Sequence, residues 1–112
     1  MFEVSKQDKK ICRMLIERGL QLEYVRSLVN VEDIVRQWRS GKLSNRDAYM
    51  NMFNAVKRND KHIARRYDGL GGSRYPYVVA ALLADGLITE ADLAEMQPRT
   101  REAIMIMATG YQ

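Results

Sequence analysis

Residues 77–84 read YVVAALLA, a run with no polar face at helical spacing. A helix that is apolar all round cannot lie on a surface, so it belongs at the enclosed centre of whatever the chain builds. Pro76 suits the first turn of such a helix, where a missing N–H costs nothing, and Gly86 can close its far end. Eight residues fall far short of the ~20 needed to cross a bilayer, so no membrane span is expected. Cover for this segment must come from the rest of the chain.

The rest supplies it as further helices. Ser5 with Asp8 has the spacing of a capping box, and Ile11, Cys12, Leu15, Ile16 and Gly19 then recur with helical period. That spacing predicts a helix over roughly 6–18. Leu22, Val25, Leu28 and Val29 continue the period; Asn30 with Asp33 offers a cap, and Val31, Ile34, Val35 and Trp38 follow it up to Gly41. The pattern leaves open whether 21–40 is one helix or two turning at Asn30. Ser44 with Asp47 opens a helix whose stripe of Tyr49, Met52, Phe53 and Val56 is expected to pack inward, ending near Asn59. A short basic helix over 61–67 comes next, Ser73 is a candidate cap for the central helix, Thr89 with Asp92 starts a short acidic helix, and Pro98 starts the last. No strand pattern, linker or repeat interrupts the series. The expectation is an all-α fold without sheet: a small single-domain bundle of about five to seven short helices spanning 1–112.

One cysteine among 112 residues cannot form an internal disulfide, which fits a reducing compartment. The first ten residues, MFEVSKQDKK, mix acid and base where a signal peptide needs an apolar stretch, so the expected localisation is cytoplasmic. The formal net charge of +4 is unevenly spread. Residues 57–74 carry six basic against two acidic side chains, whereas 75–112 carry two against five. A basic middle and an acidic end suit either an anionic partner or pairing within the molecule.

The stretch RYDGLGGSRYPYVV, residues 66–79, resembles several phosphate or nucleophile loops and satisfies none. A dinucleotide fingerprint needs G-x-G-x-x-G after a strand, and Arg74 stands two places past Gly72 where the pattern fails. The chain has no Gly-Lys-Ser or Gly-Lys-Thr, and Tyr75 occupies the second glycine of a G-x-S-x-G elbow. What survives is a joint between helices, with Ser73 and Arg74 as a candidate anion contact at a helix start. LLADGLITEADLAEM resembles half of a calcium-binding EF-hand, but its first ligand positions are Ala81 and Leu83, which offer no side-chain oxygen. No calcium is expected, and a single histidine and a single cysteine are too few for zinc. No cofactor is implied. Cys12 falls on an apolar stripe and His62 among surface cations, so neither reads as catalytic and the chain is not expected to be an enzyme.

Two segments suit nucleic acid. VEDIVRQWRSGKLSNRDAYMNMF has the outline of a DNA-reading helix–turn–helix, with Arg36, Arg39 and Lys42 on phosphates and Asn45, Arg46 and Tyr49 at base edges. Any antiparallel helix pair in a bundle shares that outline. The run from Lys57 and Arg58 through Lys61, Arg65, Arg66 and Tyr67 to Arg74 interleaves charge with aromatics, as single-stranded nucleic acid requires. The competing reading pairs Lys57, Arg58, Arg65 and Arg66 with Glu90, Asp92 and Glu95, and puts Tyr75 and Tyr77 in the core. Protein interaction rests on methionine. AIMIMA, residues 103–108, surrounds a helix with apolar groups; Ile104 and Met107 are expected inward, leaving Met105 or Ile106 outward beside Tyr111. The expected function is therefore a non-enzymatic helical module, regulatory or scaffolding, that binds a protein partner or itself. The alternative is a nucleic-acid-binding protein using segment 36–74.

Overall fold

A computed structural model describes residues 3–111. Among them there are four α-helices and no strand: α1 (Lys6–Arg39), α2 (Asn45–Tyr67), α3 (Tyr75–Ala84) and α4 (Pro98–Thr109). Two 3-10 turns, Gly72–Arg74 and Glu90–Leu93, fill connections on either side of α3. The all-α expectation holds, but the count of five to seven short helices does not. Residues 6–39 form one 34-residue helix, and the expected basic helix over 61–67 is the end of α2. Gly19 lies buried inside α1 and Asn30 continues it, since either costs a helix interior only about 1 kcal/mol or less.

Helix ends follow the local chemistry. α1 closes in a Schellman motif: Lys42 N–H donates to the Gln37 carbonyl, Gly41 N–H to that of Trp38, and Gly41 takes φ +83°. α3 ends the same way, with Leu87 bonding back to Leu82 around Gly86 at φ +74°. Ser44 accepts the Asp47 N–H at 3.0 Å and so caps α2. Ser73 makes no such bond; α3 begins from the 3-10 turn, with Arg74 as a cap that makes no side-chain bond.

By contact density the chain divides into two compact units. The first joins the residues up to Gln21 with those from Gly69 onward, and is called the cluster below. Its core takes Ile11, Cys12, Leu15 and Ile16 from α1, Val78 to Leu82 from α3, and Ile104 and Ala108 from α4, together with Leu87, Ile88, Leu93 and Met96. α3 packs along α4 and is buried over 78–82, as its all-round apolarity predicts. Tyr77 departs from expectation: it is exposed, although Pro76 and Val78 on either side of it are buried.

Asp8 ties the start of α1 to the start of α4. Ser5 caps α1 through the Asp8 N–H, but the Asp8 carboxylate does not close the box expected with Ser5. It accepts the Gln97 N–H at 3.3 Å and the Thr100 hydroxyl at 2.6 Å, and so lies at the N-terminus of α4, where a negative charge is favoured. Arg18 makes a second tie, reaching Asp92 at 2.8 Å. Asp92 in turn accepts the Thr89 N–H at 2.8 Å, so the cap expected from Thr89 and Asp92 is present, although the short acidic helix expected after it is only the 3-10 turn Glu90–Leu93. These bonds, first the backbone N–H and then Arg18, hold its carboxyl below the usual range.

The second unit, Leu22–Asp68, is a helical hairpin made from the rest of α1 and all of α2. Its buried residues are Glu23, Ala48 and Ala55. The stripe expected to pack inward does not: Tyr49, Phe53 and Val56 are exposed and only Met52 is half-buried.

Candidate functional site

The hairpin turns one side of α1 toward α2 to form a seam, and the residues the hairpin buries fully, Glu23, Ala48 and Ala55, are small or polar. Near the turn, the Trp38 indole N–H donates to Asn45 Oδ1 at 2.7 Å, so the residue expected to read a base edge is committed to holding the hairpin shut. At the other end Glu23, enclosed from solvent, meets His62 Nε2 at 2.6 Å and Arg66 Nη1 at 3.3 Å. A buried carboxylate needs such partners. His62 is exposed, as expected, but its ring nitrogen is a hydrogen-bond partner of that enclosed carboxylate. Tyr67, counted among the aromatics of the run suited to single-stranded nucleic acid, is half-buried with its hydroxyl enclosed. Burial first, and the Glu23 carboxylate second, raise its pKa well above the usual phenol value.

Beside this seam each helix carries a row with steps of four and three, apolar except for Asp60 on α2. On α1 it runs Tyr24, Leu28, Val31, Val35, Trp38; on α2 it runs Tyr49, Phe53, Val56, Asp60, Ile63, Tyr67. Alternating steps of four and three keep a row on one face of a helix and mark the packing seams of coiled coils. The two rows lie on the same side of the hairpin, since Val35, Trp38 and Tyr49 line a single groove of ≈ 290 Å³ together with Ile34, Ala48 and Met52. Within the rows Leu28 is 68% exposed, Tyr49 64% and Phe53 54%. A further apolar trio, Leu22, Val25 and Val29, is exposed on the side of α1 turned away from the seam.

The candidate cations are distributed rather than gathered. Arg36 reaches Glu32 at 3.4 Å and Asp33 at 3.8 Å within its own helix, and Arg39 lies over the Trp38 ring at 5.6 Å from its centre. Lys42 and Arg46 are exposed near the hairpin turn, and Ser73 and Arg74 are exposed in the cluster. Lys57, Arg58, Lys61 and Arg65 do share one exposed face of α2, whereas Arg66 is drawn inward to Glu23. In the acidic segment Asp92 is taken by Arg18.

On α4 the inward assignment of Ile104 holds, and Ala108 joins it in the core, while Met107 is only half-buried. Met105 is half-buried, Ile106 is 72% exposed, and Tyr111 is exposed. Met105 and Ile106 line a depression of ≈ 430 Å³ with Leu83, Ala84 and Glu90. The hairpin rows are the larger apolar surface. Their periodicity was visible in the sequence, but periodicity says only that a helix has an apolar face, not that this chain covers it.

Among the described residues no group of three or more His, Cys, Asp or Glu is placed to hold a metal ion, and no helix is long and apolar enough to cross a membrane. The Cys12 thiol is fully enclosed; burial, with Asp8 nearby, pushes its pKa up to about 11, which leaves it a poor nucleophile at neutral pH. Comparison with known protein families, with curated proteins and with solved structures finds no match to this chain.

Proposed function

We propose that this chain is a non-enzymatic helical interaction module whose docking surface is the apolar side of the α1–α2 hairpin. One observation carries the reading: the hairpin buries only Glu23, Ala48 and Ala55, yet exposes Tyr24, Leu28, Trp38, Tyr49, Phe53 and Val56 on rows of coiled-coil spacing. Exposed apolar patches of several hundred Å² on one face are typical of protein-binding surfaces. Aromatic residues are enriched at such surfaces because they bring large contact area with few rotors. Ile106 and Tyr111 on the cluster form a smaller surface of the same kind. A photo-crosslinking side chain in place of Phe53 tests the reading in cells. A discrete protein adduct is expected; labelling of water alone, with no protein adduct, ends it.

A second reading has one feature in its favour. Lys57, Arg58, Lys61 and Arg65 present four cations on one exposed face of α2, which suits a phosphate backbone. Against it, Asn45 is bound to Trp38, and Arg36 and Arg66 are paired within the hairpin. Retention on single-stranded DNA that falls steeply with salt, and is lost when these four become Glu, would favour this reading.

A further inference from the structure

We infer that the partner on the hairpin face is a second copy of this chain, the two hairpins closing face to face into a four-helix bundle. The inference rests on the interaction reading above and names its occupant. Three features of the hairpin lead to it.

The first is the spacing. A partner that offers an isolated peptide or a single helix needs one seam, whereas both α1 and α2 carry a row here, over 24–38 and 49–67. Two parallel rows on one side of an antiparallel pair are matched by another antiparallel pair. A two-fold axis supplies that pair from the same sequence, because such an interface is self-complementary by construction. Four-helix bundles pack their helices nearly aligned through seams of this period.

The second is area. An aromatic side chain can bury ~150–250 Å², so Tyr24, Trp38, Tyr49 and Phe53, each about half exposed, contribute roughly 400 Å² between them. Leu28 and Val56, more than half exposed, bring the face nearer to the ~800 Å² per partner of a standard specific interface. A full hairpin face fits this size, and a short peptide would leave much of it bare.

The third is what the hairpin lacks. Only Glu23, Ala48 and Ala55 of the hairpin are fully buried, and its larger apolar residues Val31, Ile34, Val35, Met52 and Ile63 are only half-buried, which leaves little apolar burial to oppose the entropy of ordering. Pairing supplies the missing core without any further chain. Asp60, the one charge in the α2 row, is then a polar residue in a seam, a device that fixes register at a cost in stability.

Sedimentation equilibrium of the full chain tests this directly. A species of twice the chain mass is expected at tens of micromolar protein, with a melting temperature that rises with protein concentration, as mass action requires of a dimer. Phe53→Glu and, separately, Leu28→Glu should each shift the equilibrium toward monomer at least a hundredfold. A paired change on α4, Met105→Glu with Ile106→Lys, should leave it within threefold. Because the first two variants can loosen the hairpin as well, the concentration dependence of the parent's melting stands as a readout that needs no substitution. A parent that stays monomeric to about 1 mM with a concentration-independent melt overturns the inference. So does a dimer that dissolves on the α4 change, or on Val25→Glu with Val29→Lys, while ignoring Phe53→Glu. A monomeric parent that still yields a crosslinked adduct of another protein at position 53 sinks self-association and leaves the interaction reading standing; no adduct at all removes both.

Discussion

The cluster and the hairpin are made from similar residues and use them in opposite ways. The cluster folds Ile11, Leu15, Val79, Leu82, Leu93 and Ile104 out of water almost completely. The hairpin holds Leu28, Tyr49, Phe53 and Val56 out toward solvent and is closed at its ends by polar bonds, Trp38 to Asn45 and Glu23 to His62 and Arg66. One region is self-sufficient by burial. The other is specified by its ends and left open along its side. Apolar content alone therefore does not measure how much core a segment owns.

The sharpest way to break that contrast is Leu82→Asp. It places a carboxylate among apolar neighbours at a position with no exposure, and a loss of about 4 kcal/mol or more is expected in thermal melts. The same variant should open Cys12 to a disulfide reagent at pH 8, where the parent's thiol stays unreactive. A parent-like melt would mean that α3 is not the centre.

Next comes the lock on the hairpin. Glu23→Ala removes the carboxylate that Arg66 and His62 share and should cost about 3 kcal/mol, seen as faster amide exchange over 22–68 with the cluster's exchange unchanged. Equal loss of protection in both regions would erase the distinction between them. In the cluster, Thr100→Val deletes a single buried hydrogen bond to Asp8 and should cost roughly 1.5–3 kcal/mol, the range for bonds to a charged group.

The smallest effect is acid. Asp92 has a lowered pKa in the folded state, so it contributes stability above the ordinary carboxylate pKa and loses that contribution as pH falls through the lower folded value. The pair is partly exposed, so less than about 1 kcal/mol is at stake. Below about pH 4 the parent should lose stability more steeply than Asp92→Asn. Parallel pH profiles would show that Arg18 and Asp92 contribute nothing.

These tests also mark where the sequence was sufficient. The enclosed helix was legible because Pro76 and Gly86 bracket a run with no polar face. The Ser44, Gly41 and Thr89–Asp92 caps were legible because capping chemistry is local. The length of α1 was not, since a mid-helix Gly19 or Asn30 resembles a stop and only its surroundings decide. The direction of the Tyr49–Phe53–Val56 stripe was not legible either. It depends on which side of α2 the seam with α1 takes, and small residues such as Ala48 and Ala55 claimed that seam over larger ones. The partners of His62 and Asp8 lie 39 and 89–92 residues away, at separations that no spacing rule spans.

The order of the two units along the chain has a consequence for synthesis. The cluster is discontinuous: its first part ends at Gln21, and its second begins only at Gly69, after the whole hairpin. At roughly 5–20 residues per second, the intervening segment takes several seconds to emerge from a ribosome. Throughout that delay Ile11, Cys12, Leu15 and Ile16 have no α3 or α4 to cover them, whereas both arms of the hairpin are complete by its end. The region that is better packed in the finished protein is thus the later one to become possible, and a nascent chain halted near Asp68 offers a chaperone the α1 residues of a core whose other half has not yet been made.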